Sequence, residues 1–196
     1  MSWNPLDMQQ NKLVWIDCET TGFTDLDKKA AYDHRLLELA VVVTDSNLVT
    51  LDSMNVVIHH DPKDYEHLLD DKVREMHTAN GLFEECAAST ISMEAAEASI
   101  LAFLKRCGVE PWTARLCGNS VHLDRVYIEI YMPLLKRHLH YRNVDVSSLN
   151  EFLLMISPEF SYEKQSAHRA MGDIQASIAE AKYYREKIIS KAYREA

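Results

Sequence analysis

The sequence predicts an α/β fold built on a mixed sheet. Three observations carry the prediction. Strand-like runs come first, at 12–18 and twice within 36–60; helical periodicity takes over from about residue 71; short strand candidates at 115–118 and 143–149 then alternate with helices. Strands followed by strand–helix alternation mark a sheet with both antiparallel and parallel neighbours.

Each element has a local reason. Residues 12–18 open as an apolar run suited to a buried strand, and LLELAVVVTDSNLVTLDSMNVVIHH (36–60) reads as two β-rich runs joined by a turn near Asp45-Ser46-Asn47. SMEAAEASILAFLKRCG (92–108) carries a Ser cap, early glutamates, a late Lys-Arg pair and a closing Gly, the marks of an amphipathic helix. RLCG (115–118) is a short strand, a helix is expected from Val121 to Lys136, NVDVSSL (143–149) passes from strand to helix, and a long helix should run from Ala170 to Tyr193.

Bulk properties narrow the function. A chain of 196 residues with no repeat, low-complexity tract or Pro/Gly-rich linker suits a single domain, with its core at about 12–190. No segment approaches the ~18 apolar residues that span a bilayer, and the N-terminus has neither a signal nor a transit pattern. The expectation is an intracellular protein with no membrane partner, and both the cytoplasm and a mitochondrial matrix fit. Cys18, Cys86, Cys107 and Cys117 are scattered, which favours reduced thiols over a metal cluster. His138 and His140 form an H-x-H with no third ligand nearby, so zinc is not expected. The five glycines are too far apart for a dinucleotide loop, and none precedes a lysine as a P-loop requires. A net charge of −9 argues against gripping long duplex nucleic acid, though not against an enzyme holding a short one.

The chemistry gathers in the acids. VWIDCETTG (14–22) puts Asp17 and Glu19 on one side of a strand, about 7 Å apart along it. Held so, two carboxylates repel unless a cation intervenes; Lys12 is the only basic residue nearby, and Mg²⁺ or Mn²⁺ suits hard oxygen donors. An isolated D-x-E is most often a solvated strand end. Further acids strengthen the metal reading. Asp124 lies about a turn into a helix behind Gly-Asn-Ser, and SAHRAMGDI (166–174) sets His168 ahead of a helix from whose first turns Asp173 projects.

This combination resembles the DEDDh family of 3′–5′ exonucleases, and its wording is similar to the oligoribonuclease branch. WIDCETTG, HTANGL (77–82), CGNS with the following Asp124, HYRNVDVSS (140–148) and HRAMGDI occur in order from residue 13 to about 185. The resemblance implies a ribonuclease H-like, five-stranded mixed sheet flanked by helices. It implies that Asp17, Glu19, Asp124 and Asp173 ligate two divalent ions, Mg²⁺ or Mn²⁺, with His168 as general base. It also implies a homodimer acting on short single-stranded RNA, in which His77, Tyr141 and Arg142 cap the substrate's 5′-phosphate. Ser120 and Ser147 would be further phosphate contacts; Phe23 stands where the family commonly wedges a Leu against a base, and its ring either stacks on a base or faces the core. Departures are Gly172 where an acid is usual, Phe23 for Leu, a longer 24–35 loop, Leu154-Met155-Ile156 for a basic-aromatic run, and Val126-Tyr127 for a basic-Phe pair. Two alternatives stay open: an exonuclease of longer single-stranded RNA or DNA, and a catalytically silent nucleic-acid-binding module.

Overall fold

The computed structural model describes residues 12–22, 34–163 and 168–194. The strands are β1 (Leu13–Thr20), β2 (Leu36–Thr44), β3 (Thr50–Val57), β4 (Leu116–Gly118) and β5 (Asn143–Asp145). They form one sheet in the order β3-β2-β1-β4-β5. β1 and β3 run antiparallel to β2, while β4 is parallel to both β1 and β5, so the sheet is mixed and five-stranded as expected. The β2–β3 turn is where the sequence puts it. The Asp45 carboxylate accepts from Asn47 N and Val49 N at 2.8 Å each, closing the loop.

Seven α-helices are described: α1 (Asp71–Ala79), α2 (Leu82–Ala88), α3 (Met93–Arg106), α4 (Val121–Tyr131), α5 (Pro133–His138), α6 (Val146–Ile156) and α7 (Ala170–Arg194). Side-chain caps open three of them. Asp70 accepts from Val73 N at 2.8 Å to start α1, Ser92 accepts from Ala95 N at 3.2 Å to start α3, and the Asp145 carboxylate accepts from Ser148 N at 3.1 Å to start α6. The single helix expected over Val121–Lys136 is instead two, α4 and α5. Pro133 has no N–H to donate and disfavours helical geometry in the residue before it, and Met132 accordingly leaves the helix with φ −133° and ψ 63°.

Period-2 alternation sorts the central strands between two apolar layers. Val14, Ile16, Leu39, Val41 and Val43 face α3, α4 and α5, whereas Leu13, Trp15, Ala40 and Val42 face α6 and α7. All nine residues of β2 are buried, including Glu38. Asp17 and Glu19 continue the Leu13–Trp15 row, so they emerge on the face that α7 covers. Among the described residues no single helix is long and apolar enough to cross a membrane.

Candidate active site

A cleft of about 560 Å³ opens at the carboxyl ends of the parallel strands β1 and β4, the usual location for a ligand in an open α/β sheet. Its walls come from Asp17, Cys18, Glu19 and Thr20 of β1, from Asn119, Ser120, Leu123, Asp124 and Tyr127 of the β4–α4 turn and α4, from Asp70, Lys72, Val73 and Met76 at α1, and from His168 and Asp173 at α7. Pairing with β4 creates the opening. That strand pairs with β1 only at Val14 and Trp15 and ends at Gly118, so the edge of β1 beyond is left without a strand neighbour there. Asp124 fills the gap, its Oδ1 accepting from Cys18 N at 2.9 Å. Gly118 lets the two backbones approach, since a Cβ there would stand 3.0 Å from Ile16 O.

Three carboxylates converge. Asp17, Glu19 and Asp173 each offer an oxygen, and these oxygens lie within 4.8 Å of one another. Glu19 and Asp173 are buried, as is Asp124. Burial, then the charges of Asp173 and Glu38, push the Glu19 carboxyl up to about 7. Burial likewise pushes Asp124 up to about 7 against the Cys18 N–H that favours its ionised form. The Cys18 thiol is raised by burial and by Asp124 and Asp17 beside it, so it is no thiolate ligand.

The basic residues described at the cleft do not neutralise Glu19. His77 Nε2 lies 3.9 Å from a Glu19 oxygen but donates to Thr20 O at 3.0 Å. Burial keeps its pKa below the ordinary histidine value, so it remains neutral. Lys72, the one Lys or Arg among the described lining residues, is exposed at the rim. An all-oxygen donor set that gathers this much negative charge fits divalent cations of the Mg²⁺ and Mn²⁺ kind.

The expected residues divide into three groups. Asp17, Glu19, Asp124, His168, Asp173 and Ser120 share the cleft. Ser147 stands one step behind, its hydroxyl 3.3 Å from that of Ser120 and 3.2 Å from Asn119 Nδ2. The structure does not bring His77, Tyr141 and Arg142 there. His77, expected to touch the phosphate, is instead fully buried on the inner side of α1 with Val73, its ring edge-on to Phe83. Tyr141 and Arg142 are exposed outside the cleft lining, Arg142 Nε donating to Tyr141 Oη at 3.1 Å and the tyrosine stacking on His140 at 4.5 Å. Phe23 and most of the longer loop lie outside the described residues.

Sequence reasoning missed several wall residues. Lys72 and Met76 are one helical turn apart on α1 (i, i+4), a spacing that was readable. Tyr127 stands out in the sequence only as a departure; its hydroxyl donates to Gly22 O at 2.5 Å and fixes the turn that ends β1. Asn119 donates to Glu180 Oε2 at 3.0 Å and is held there by α7, which no local pattern discloses. Two of the four non-glycine residues with positive φ among those described, Ser120 at 51° and His168 at 50°, line the cleft, and such strained residues gather at functional sites.

Comparison with known proteins bears on this geometry. A profile of the family described as "Exonuclease" matches residues 14–181. The chain is 42% identical over 181 residues to the oligoribonuclease of Streptomyces avermitilis, covering 91% of this chain and 87% of that protein. Against the oligoribonuclease of Pseudomonas syringae pv. tomato it is 40% identical over 182 residues, 92% of this chain and 98% of the other. Among solved structures, E. coli exonuclease I in complex with a dT13 oligonucleotide matches with a TM-score of 0.63 at 16% identity. The match covers 94% of this chain but 44% of that one, so the chain spans less than half of the larger protein. At that identity the likeness is one of fold, the ribonuclease H-like sheet flanked by helices.

Proposed function

The chain belongs to the exonuclease family and, within it, to the oligoribonucleases; from that premise we propose that it is a metal-dependent 3′–5′ exoribonuclease that converts RNA oligomers of a few nucleotides to nucleoside 5′-monophosphates. The observation that carries the reading is the convergence of Asp17, Glu19 and Asp173 within 4.8 Å, with Asp124 and His168 on the same cleft.

In this reading Asp17, Glu19, Asp124 and Asp173 hold two divalent ions, Mg²⁺ or Mn²⁺. When bound, such ions supply positive charge to the phosphodiester and lower the pKa of water. Hydrolysis joins the water oxygen to phosphorus and breaks the P–O3′ bond; the departing O3′ takes a proton from solvent and leaves as a hydroxyl, and the proton lost by the attacking water needs an acceptor. His168, exposed at the rim, is that acceptor, imidazole being the side chain that changes charge near neutrality. Ser120, steadied by Ser147, donates to a phosphate oxygen, and Phe23 stacks on a base. His77 acts at one remove, holding Thr20 O beneath the acids.

A cleft of about 560 Å³ takes a strand end rather than a long track, and the net charge of −9 also suits a short substrate. Tyr141 and Arg142 lie exposed outside the cleft lining, which supports a homodimer in which they reach the substrate of a second copy. Free thiols at all four cysteines suit a reducing compartment, the cytoplasm or a mitochondrial matrix.

The test is digestion of 5′-labelled RNA of graded length with Mn²⁺ or with EDTA. The expected result is cleavage of dinucleotides in Mn²⁺ and none in EDTA, with Asp17→Ala and Asp173→Ala inactive. Products stalling at a few nucleotides, with dinucleotides intact, would overturn the reading. Light scattering that found only monomer would remove the role given to Tyr141 and Arg142.

A further inference from the structure

The backbone that presents His168 is held from three directions by residues outside the cleft. His168 has φ 50°, in the left-handed region, where a residue with a Cβ is strained by about 1–2 kcal/mol. Its carbonyl oxygen accepts from Asn80 Nδ2 at 2.5 Å. Asn80 is itself fixed at the α1–α2 junction, its Oδ1 accepting from Leu82 N at 3.1 Å.

The next residue, Arg169, is gripped by two carboxylates. Its Nε and Nη2 donate to the two oxygens of Glu38 at 3.1 and 2.9 Å. Its Nη1 and Nη2 donate to the two oxygens of Glu85 at 2.9 and 2.7 Å. Nη1 also donates to Asn80 O at 3.3 Å, interlocking the two holders. One residue further, Ala170 N donates to Glu38 Oε2 at 3.2 Å and ties the start of α7 to β2. The carbonyl of residue 168, the side chain of 169 and the amide of 170 are therefore each anchored. Paired bidentate contacts make a guanidinium a rigid joint.

We propose that Arg169, with Asn80, is a positioning residue for the reaction: the Glu38–Arg169–Glu85 knot and the Asn80 amide hold the His168 backbone in its strained conformation and so aim the imidazole into the cleft. The inference rests on the reading of His168 as proton acceptor. Displacing a catalytic group by about 1 Å costs on the order of a hundredfold in rate, so the knot belongs to turnover more than to substrate or metal affinity.

The experiment is a double-mutant cycle on the full chain. His168→Ala, Arg169→Gln and the combined variant are assayed for kcat and KM on an RNA dinucleotide in Mn²⁺, with Mn²⁺ affinity measured by calorimetry. Arg169→Gln is expected to lower kcat about 10–100-fold, with KM and Mn²⁺ affinity near wild type. In the His168→Ala background the same substitution should add nothing. A full additional loss there, or a parallel loss of Mn²⁺ affinity, overturns the proposal, because Arg169 would then act other than through His168. Wild-type turnover by His168→Ala overturns the acceptor reading itself, and the proposal with it. If Arg169→Gln does not fold, Asn80→Ala takes its place in the same cycle with His168→Ala; it should lower kcat more mildly, with the same non-additivity, and full additivity there overturns the proposal.

Discussion

Glu19 and Glu38 face each other across the β1–β2 ladder in register, both buried, and the protein treats them oppositely. Burial raises Glu38, but hydrogen bonds from Arg169, Asn55 and Ala170 N outweigh it and hold its carboxyl below the ordinary value. Glu19, one strand away, is pushed up to about 7 by burial and then by the charges of Asp173 and Glu38, which Arg169 offsets only in part. A buried acid with its charge fully answered is a structural joint. One left unanswered, close to two further carboxylates, is a site prepared for a cation that the chain itself does not supply.

The largest expected effect tests the unanswered side. Glu19→Gln and Asp173→Asn should each lower Mn²⁺-dependent hydrolysis by on the order of a thousandfold or more, as loss of a central catalytic group does. In EDTA, Glu19→Gln should also stabilise the fold, because a repelled charge is gone. Wild-type activity in either variant would erase the distinction between the two acids.

Glu38→Gln should behave in the opposite way. It leaves Arg169 half-paired and is expected to cost about 3 kcal/mol of stability, the lower end for breaking a buried ion pair, since Glu85 keeps hold of the guanidinium. Urea midpoints with and without Mn²⁺ should show the loss in both; a loss confined to the metal-loaded protein would make Glu38 part of the metal site instead.

The pH dependence of the metal-free protein sharpens the contrast. The folded pKa of Glu19 is raised from 4.5 to about 7, so its contribution to stability is full below 4.5 and is lost as pH rises through about 7. That of Glu38 is lowered from 4.5, so its contribution is present above 4.5 and is lost as pH falls through the folded value. From about pH 5.5 to about pH 8 in EDTA the stability should fall by about 2 kcal/mol on account of Glu19, the part of its shift that lies in this window, and Asp124, which burial also raises to about 7, deepens the fall. Saturating Mn²⁺ should reverse the trend, since metal binds the ionised form. Flat unfolding midpoints in EDTA would mean that Glu19 is compensated after all. The smallest effect is Asn55→Ala, which removes the 2.7 Å bond from Asn55 Nδ2 to Glu38 and should cost about 1 kcal/mol in thermal melts.

Much of this was legible in the chain. Alternation in β1 and β2, the Asp45 turn and the Ser92 cap each act within a few residues, so local pattern sufficed. The acids were legible as a set, because Asp17 and Glu19 share a strand face and the motif wording tied them to Asp124, His168 and Asp173. The split at Met132–Pro133 was written in the proline and passed over. His77 shows the opposite error: its segment matched a functional motif, yet Val73 and His77 at i, i+4 mark the buried stripe of α1. The knot around Arg169 had one signal, a lone Glu38 within the apolar LLELAVVV. What answers that charge arrives from β3 and the start of α7, and no periodicity within β2 points to it.

The candidate ligands are also divided in time. A ribosome releases Asp17 and Glu19 more than 150 residues before Asp173, an interval of about 10–30 s at ordinary synthesis rates. Until α7 docks, the emerging chain has the β1 acids without Asp173 and without the helix start that holds His168. With Asp173 as a ligand and His168 as proton acceptor, as proposed above, a nuclease assembled this way would stay idle beside the message it is being read from until the long helix α7 closes the site.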